Sequence, residues 1–486
     1  MKKRTQRLMI ALMASAPMYG MQELGKHDGG EYFYRASKNI SGTSHGLHAC
    51  DLSKGKSGSD ELFDKPIDFA PYEGDMDFEK FKQMFPIFKT TMRGRPLVYF
   101  DTASTSQMPQ EVADAITQYY LEYKSNVGRG LYEHAEHATL AFEQTRCKVA
   151  GFLGAQNAEI VFTAGATAGI NMVAHIWAEH HVQQGDEIVI SEAEHNANFI
   201  PWQQLALRKG AILKRVPVDG QGRITPESFA AHITSKTKLV AVTHQSNILG
   251  MVTDVKTIAQ HAHAVGAKVL IDAAQSIAHQ RINVKELGCD FLVFSAHKLF
   301  GPTGVGVLFI DQSVAPECVL HNFGGGMVYY VTPEFTQFKK IPHGLEPGTQ
   351  AIAQVIGLGA VIDFVQKYIN FEQVQEHETA LALKLIEALQ TIDGLRVISA
   401  IPKPGEHCSM VTFTTEGFHP YDVAEYLDQH GIAVRSGYHC VQPYHDALGG
   451  LASVRVSISP YNNMQDIEWV IACLQKMVQE SEKIVE

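Results

Sequence analysis

The chain has 486 residues, of which 45% are hydrophobic and 19% are charged, and its formal net charge is −11. This composition is typical of a soluble globular protein with two or three domains. The negative charge and the lack of a basic stripe argue against a nucleic-acid-binding surface. Its seven cysteines are odd in number, widely spaced and free of CxxC pairs. We therefore expect neither a disulfide framework nor a metal site, and a reducing compartment.

The first twenty residues combine several early basic residues with a short apolar run, LMIALM. A signal or transit peptide has this form, but the run is far too short to cross a bilayer. We therefore expect a cytoplasmic protein with no membrane span, with an N-terminal signal or transit peptide left open. Residues 1–75 are rich in Gly, Ser and charged residues without a sustained period, which predicts an extension that is poorly ordered or used in targeting.

From about residue 76 the pattern becomes that of an α/β protein. A short amphipathic helix precedes a strand at 96–101, and two longer helices follow. Short apolar strands then alternate with helical crossovers, and they begin near residues 159, 187, 211, 238, 268, 291 and 304. This alternation predicts a mostly parallel sheet covered on both faces, in a large domain over 76–350 whose N-terminal part can pack against a second domain.

A change of pattern after about residue 350 predicts that second, smaller domain over 351–486. One long helix at 352–392 is expected to lead into the strands LRVIS, SMVTFTT, IAVRSG and SVRVSIS, with the helix YDVAEYLDQHG between the second and the third. This order of elements predicts an α+β fold that packs beside the large domain.

Ligands of open α/β sheets bind at the carboxyl ends of strands, and suitable side chains follow several strand ends here. A turn of small residues that includes Ala166 and Thr167 opens a helix, where a phosphate is favoured. His195 follows the next strand and can stack on a ring. Asn247 can donate to a phenolate-like oxygen. Taken singly, these residues also fit an ordinary turn, a surface histidine and a turn asparagine.

Asp272 and Lys298 end two further strands, and together they meet the requirements of pyridoxal phosphate. That cofactor needs a lysine amine for a Schiff base and an acid facing the pyridine nitrogen. Ser295 and His297 flank the amine and can orient it or bind phosphate. The succession of five suitable strand ends favours a cofactor site over five unrelated residues.

Two further candidate regions lie closer to the C-terminus. Thr349 lies in a Gly-containing turn from which it can reach a phosphate across a dimer. Cys440 follows Arg435 and His439 in a loop, where its thiolate can be favoured, although a buried inert cysteine is the ordinary alternative. Arg455 lies in mid-strand, where an unpaired charge is costly, and a substrate carboxylate would suit its fork.

Together the motifs resemble those of the pyridoxal-phosphate-dependent cysteine desulfurases of the Suf/Csd group, in the class V aminotransferase-like family of fold type I. The matching phrases lie within residues 76–480 and are GATAGINMVAH, EHNANFIPWQ, SNILG, IDAAQSIAH, FSAHKLFGPTGVG, EPGT and IAVRSGYHC. The resemblance implies a homodimer that converts L-cysteine to L-alanine. Sulfur would pass through an enzyme persulfide to an acceptor protein for iron–sulfur cluster assembly.

Three alternatives to this function remain open. A selenocysteine lyase, acting on L-selenocysteine, shares most of the motifs. An aminotransferase-like enzyme of the same family would work without a cysteine nucleophile. A catalytically silent scaffold for sulfur-transfer partners is disfavoured, because the amine, the acid and the thiol are all present.

The resemblance also implies a role for each matching residue. Lys298 would bind the cofactor and act as acid and base, and Cys440 would take the sulfur. Asp272 would keep the pyridine nitrogen protonated, Arg455 would bind the substrate carboxylate, and His195 would stack on the ring as a third catalytic residue. The matching phosphate ligands would be Ala166, Thr167, Ser295 and His297, with Thr349 contributed by the neighbouring subunit. Gln275 and Asn247 would lie near the phenolic oxygen of the cofactor. Asn247 would also lie beside the substrate.

The chain departs from the family pattern at a few positions. Gly128 and Tyr132 stand where histidines are common, and Tyr438 replaces another histidine. Ser104 stands where an alanine is usual. These departures leave the cofactor set intact and concern substrate entry and the partner interface.

Overall fold

The computed structural model describes the backbone of residues 21–24, 33–36 and 65–485, and the side chains of residues 65–480. The predicted signal or transit peptide and most of the predicted extension lie outside these residues. Strand β1 (Met21–Leu24) pairs with β2 (Phe33–Ala36) in antiparallel fashion.

The strands from residue 65 onward are mostly short. They are β3 (Thr91–Met92), β4 (Arg95–Pro96), β5 (Val98–Tyr99), β6 (Ile160–Thr163), β7 (Glu187–Ser191), β8 (Ile212–Val216), β9 (Thr237–Thr243), β10 (Lys268–Asp272), β11 (Phe291–Ser295), β12 (Gly306–Ile310), β13 (Val328–Val331), β14 (Thr336–Phe338), β15 (Leu395–Val397), β16 (Met410–Thr415), β17 (Ile432–Ala433), β18 (Arg435–Gly437) and β19 (Ser453–Ser457).

The α-helices alternate with these strands. They are α1 (Phe78–Gln83), α2 (Gln110–Glu122), α3 (Glu133–Leu153), α4 (Ala166–Val173), α5 (Glu179–His181), α6 (Asn196–Lys209), α7 (Pro226–His232), α8 (Val255–Ala264), α9 (Val284–Leu287), α10 (Ile352–Tyr368), α11 (Phe371–Leu389), α12 (Pro420–Gln429), α13 (Gln442–Ala447) and α14 (Met464–Val485). The predicted helices near 133–153 and 421–431 are therefore confirmed.

A seven-stranded sheet forms the centre of the fold, in the order β6-β12-β11-β10-β9-β7-β8. Six strands run in one direction, and β12 runs against its neighbours β11 and β6. All seven predicted strands are present, and the prediction of a mostly parallel sheet is confirmed.

Both faces of this sheet are covered by apolar clusters. Along β9 the side chains of Val240 and Val242 join one buried cluster, and those of Leu239 and Ala241 join the other. The alternation follows from the two-residue period of a strand, which sends neighbouring side chains to opposite faces. A sheet buried on both sides explains why its strands read as continuous apolar runs.

A four-stranded antiparallel sheet, β15-β16-β19-β18, carries the C-terminal part of the chain. The predicted strand IAVRSG is divided, because β17 pairs instead with β5 in parallel. Val98 and Phe100 consequently lie in the same buried cluster as the C-terminal sheet. This pairing brings the segment after β5 to the edge of the C-terminal sheet.

The predicted single helix over 352–392 is wrong. Helices α10 and α11 are separate and meet at an angle of 84°. The physical reason lies at Asn370, whose side chain accepts hydrogen bonds from the backbone N–H groups of Glu372 and Gln373 and so starts a new helix. Within the described residues no single helix is both long and apolar enough to span a bilayer, and this bent pair meets the length and composition requirement only when its two parts are taken together.

Candidate active site

A cavity of about 190 Å³ opens at the carboxyl ends of the parallel strands. The segments that follow β6, β7, β9, β10 and β11 all contribute to its wall. These ends meet at one edge because the strands run in one direction. Open α/β sheets bind ligands at this edge. The cavity is completed by the segment after β5 and by β18 and β19 of the C-terminal sheet.

Lys298 and Asp272 face each other across this cavity without a direct hydrogen bond. Burial lowers the pKa of Lys298 to about 8, and the Asp272 carboxylate opposes that shift. Burial also raises the pKa of Asp272, while Lys298 and the backbone N–H of Ala274 lower it. That N–H donates to Asp272 Oδ1 at 2.9 Å, and no described residue donates to Oδ2. The carboxylate is therefore free to accept from a cationic ring nitrogen.

The turn before α4 has the geometry of an anion site. Gly165 has a φ of +150°, which an L side chain rarely adopts, and its carbonyl accepts from the Gly169 N–H as the helix begins. Ser295 Oγ accepts from the Ala166 N–H at 2.8 Å, which joins the turn to the end of β11. Thr167 lies in the first turn of the helix, where the positive end of the dipole favours a phosphate.

His195 is held in one orientation at the start of α6. Its Nδ1 accepts from the backbone N–H of Ala197 at 3.1 Å, so the ring caps the helix. Burial, followed by the positive charge of Lys298, lowers the pKa of His195 to about 4. The ring is thus neutral at physiological pH, with its proton on Nε2. A neutral, fixed ring at the cavity wall is suited to stacking on a cofactor ring.

Asn247 and Gln275 are both anchored by their side-chain amides. Asn247 Nδ2 donates to the carbonyl of His439 at 2.8 Å, and Gln275 Nε2 donates to the carbonyl of Ala103 at 2.9 Å. Each amide nitrogen retains a second proton, which can donate to a cofactor oxygen.

Arg455 is almost fully buried in the middle of β19. Its Nη1 donates to the Asn247 carbonyl at 3.0 Å, and its Nη2 lies 3.1 Å from Asp101 Oδ1. Its Nε has no partner among the described residues. Burial lowers the pKa of Arg455 to about 10, against the opposing charge of Asp101. One carboxylate compensates this guanidinium incompletely, and a substrate carboxylate would supply further compensation.

Cys440 lies at the rim of the cavity rather than in its wall. Its Sγ is 3.8 Å from Arg435 Nη2. Both His439 and Cys440 have positive φ, 50° and 60°, a conformation that costs a non-glycine residue about 1–2 kcal/mol. Two hydrogen bonds hold the loop in this form. Asn247 Nδ2 donates to the His439 carbonyl, and the Asn196 N–H donates to the Cys440 carbonyl at 2.8 Å. The thiol is therefore presented on a rigid loop.

Most of the site residues named from the sequence meet in this cavity. Those in its wall are Ala166, Thr167, His195, Asn247, Asp272, Gln275, Ser295, His297, Lys298 and Arg455. Cys440 adjoins it through His439 and Arg435. Thr349 does not reach it and is exposed on the surface.

Asp101, Thr243 and Glu194 contribute to the site but were not named from the sequence, and Ser104 was named only as a departure from the family pattern. Glu194 is fully buried beside His195, and burial raises its pKa to about 7. It accepts from Ser191 Oγ at 2.6 Å and from the Thr243 N–H at 3.0 Å, so it joins two strand ends. The signal for Asp101 was its position directly after the VYF strand, since an acid at a strand end had already been informative at Asp272.

The donor set fits pyridoxal phosphate. Asp272 has an unengaged carboxylate oxygen, Lys298 has an amine with no hydrogen-bond acceptor among the described residues, and an anion site begins at Thr167. These features match the ring nitrogen, the aldehyde and the phosphate of that cofactor.

Comparison with known proteins gives a consistent result. A family model described as Aminotransferase class-V matches residues 98–470. A probable cysteine desulfurase of Halalkalibacterium halodurans is 42% identical over 402 residues, which cover 82% of this chain and 98% of that protein. The cysteine desulfurase of Synechococcus elongatus is 40% identical over 402 residues, and the chain spans 64% of that longer protein. The apo structure of a cysteine desulfurase from Thermococcus onnurineus NA1 is 34% identical with a TM-score of 0.79, covering 84% of this chain and 99% of that one.

Proposed function

The chain belongs to the class-V aminotransferase family, and from this membership we propose that it is a pyridoxal-phosphate-dependent L-cysteine desulfurase. The observation that carries the proposal is the position of the Cys440 thiol, beside Arg435 at the rim of the cavity that holds Lys298 and Arg455. Pyridoxal phosphate, when bound, withdraws electrons from the carbon that bears the substrate amine and so weakens the neighbouring bonds.

The residues of the chain position the substrate and move its protons. Arg455 binds the carboxylate of L-cysteine through its planar fork. Lys298, with a pKa lowered to about 8 by burial, accepts and returns a proton at the substrate α-carbon within reach of neutral pH. Asp272 would hold the ring nitrogen of the cofactor, and His195 would support its ring.

The sulfur-transfer step balances without an added oxidant. The Cys440 thiolate attacks the substrate sulfur, an S–S bond forms and the bond from sulfur to the substrate β-carbon breaks. The β-carbon keeps the electron pair and takes up a proton, which gives L-alanine. The enzyme retains a persulfide on Cys440. Arg435 stabilises negative charge on the attacking sulfur.

The test is formation of L-alanine from L-cysteine by the holoenzyme and by Cys440→Ser. We expect near-complete loss in the variant, because serine is a poor nucleophile toward sulfur. The matched control is Cys473→Ser, which alters a buried cysteine of α14 that does not line the cavity. Turnover in Cys440→Ser would contradict the proposal and favour an enzyme without a cysteine nucleophile. Alanine formed from L-selenocysteine alone would favour a lyase.

We infer further that the protein is a homodimer. The hairpin β13–β14 carries an exposed apolar surface in which Tyr329, Tyr330 and Phe335 are each at least 60% exposed. Such a surface supports a protein interface. Thr349 is exposed and lies outside this chain's own cavity. This position supports a role as a phosphate ligand in the cavity of a second subunit. Light scattering in solution tests the proposal, and a fully active monomer would contradict it.

We also propose that the persulfide passes to an acceptor protein for iron–sulfur cluster assembly. Support comes from the exposed Tyr438 beside Cys440, which leaves this loop open to an incoming thiol. Without a thiol the enzyme should stop after one alanine per site, and dithiothreitol should restore turnover with release of sulfide. Reconstitution of an apo-ferredoxin with ferrous iron then tests delivery to a cluster.

A cytoplasmic location remains our proposal for the compartment, supported by the odd and widely spaced cysteines. Sequencing of the mature N-terminus tests it, since removal of the first twenty residues would indicate export or import into an organelle.

A further inference from the structure

We propose that Ser104 is a positioning residue that couples Arg455, which binds the substrate, to Arg435, which contacts the Cys440 sulfur. The proposal rests on the proposed function for the identity of the substrate and of the nucleophile. The coupling itself follows from the contacts of one hydroxyl group.

The Ser104 hydroxyl makes three hydrogen bonds. It donates to Asp101 Oδ1 at 2.6 Å. It accepts from Arg435 Nη1 at 2.8 Å and from Arg455 Nη2 at 3.1 Å. A hydroxyl has one proton and two lone pairs, so these contacts saturate it.

The two arginines need such a tether because they lie directly opposite each other. Arg435 of β18 and Arg455 of β19 are register partners in an antiparallel pair. Like charges in directly opposite positions destabilise a sheet. Asp101 supplies negative charge and accepts a hydrogen bond from Arg455, and Ser104 extends the arrangement to Arg435.

Arg435 depends on Ser104 more than Arg455 does. Among the described residues the Arg435 side chain has two hydrogen-bond partners, the Ser104 hydroxyl and the Cys440 sulfur at 3.8 Å. The contact to sulfur is long and weak, so the hydroxyl is the anchor. Without it, the guanidinium is free to turn toward solvent and away from the sulfur.

An alanine at this position cannot make any of these bonds. The coupling predicts that loss of one hydroxyl weakens both substrate binding at Arg455 and thiol reactivity at Cys440.

The experiment compares holoenzymes of Ser104→Ala, Ser104→Thr and Ser436→Ala. Thr keeps the hydroxyl, and Ser436 lies next to Arg435 without a side-chain hydrogen bond to any described residue. The measurements are KM and kcat for L-cysteine, and the rate at which iodoacetamide modifies Cys440, followed by mass spectrometry of its peptide.

We expect Ser104→Ala to slow alkylation of Cys440 about tenfold and to raise KM several-fold, which corresponds to loss of hydrogen bonds to charged groups. Ser104→Thr should recover most of both, and Ser436→Ala should match the wild type. A normal KM or a normal alkylation rate in Ser104→Ala would overturn the coupling, because both ends must respond.

A second variant tests whether Ser104 acts through Arg435. In the Arg435→Lys background, Ser104→Ala should add little to the loss of alkylation, since the tethered group is already gone. Additive effects would contradict the proposal. Alkylation requires no turnover, so this arm decides the coupling even if the wild type forms no alanine from L-cysteine, an outcome that would overturn only the proposed function.

Discussion

Two buried groups of ionisable side chains differ in what their members contact. The cavity contains Lys298 and Asp272, which make no hydrogen bond to each other. A second group, the His279 cluster, consists of His279, Glu378 and His407. In it His279 Nδ1 lies 2.9 Å and His407 Nε2 lies 2.8 Å from Glu378 Oε2. The members of the cluster bond one another, whereas the cavity groups face open space.

The difference shows that burial of ionisable groups does not by itself mark a reactive site. One imidazole nitrogen from each histidine and one carboxylate oxygen of Glu378 lie within 4.8 Å of one another in the His279 cluster, and the three side chains are at most 4% exposed. Mutual hydrogen bonds account for their burial. In the cavity the buried amine of Lys298 and the carboxylate of Asp272 lack such a mutual bond, which is typical of groups that bind a ligand.

Removal of the cavity amine should have the largest effect on activity. Lys298→Ala should lower kcat for alanine formation by at least about 1,000-fold, because the group that moves the proton and binds the cofactor is lost. Folding should be little affected, since the amine has no hydrogen-bond partner among the described residues. The matched control is Lys384→Ala, at an exposed position of α11. Retained turnover in Lys298→Ala would assign the chemistry to another residue.

The opposite result is expected when the His279 cluster is broken. Glu378→Ala leaves two buried histidines without their shared partner and should lower the free energy of unfolding by about 2–4 kcal/mol. Urea denaturation followed by circular dichroism measures this change. Glu387→Ala, on the exposed side of the same helix, should change stability by less than about 0.5 kcal/mol. If activity per folded molecule fell as much as in Lys298→Ala, the contrast between the two groups would be wrong.

The smallest effect concerns pH. Burial lowers the pKa of His279 to about 4, from an ordinary value of 6.5. Between these values the unfolded chain binds more protons, so the contribution of His279 to stability is present above pH 6.5 and is lost as the pH falls toward 4.

His279→Asn should therefore lose less stability than the wild type between pH 6.5 and 5. Urea midpoints at the two pH values measure the difference. Exposed His180 provides the control, and His180→Asn should leave the pH dependence unchanged. An equal loss in His279→Asn and the wild type would contradict the shifted pKa. Glu378, with its pKa raised to about 7 by burial, acts in the opposite direction and makes the net slope of the cluster small.

The large sheet and its ligand edge could be predicted from the sequence because the evidence for them is local. Each apolar strand is followed within a few residues by the side chain it presents, as at Asp272 and Lys298. Parallel direction then places these strand ends together. The predicted fold class and family were confirmed for this reason.

What could not be predicted depends on long-range pairing. Asp101 and Ser104 enter the site because β5 pairs with β17, far along the chain, and no local pattern indicates that contact. The break in the predicted long helix could not be predicted from the apolar pattern, because apolar residues continue across it. Asn370 followed by an acidic first turn was the available signal of a new helix start. The exposed position of Thr349 likewise depends on how the chain folds as a whole.

The contact between Asp101 and Arg455 spans 354 positions of the chain. During synthesis the carboxylate is made first, and the arginine follows only after all strands of the seven-stranded sheet. Because domains form as the chain is made, the lysine pocket can take shape on the ribosome while the grip on the substrate is still missing. A partly made chain would therefore hold the lysine and the acid of the pocket without the arginine that binds an amino acid. Substrate binding is therefore completed later than the lysine pocket, when the C-terminal sheet forms around it.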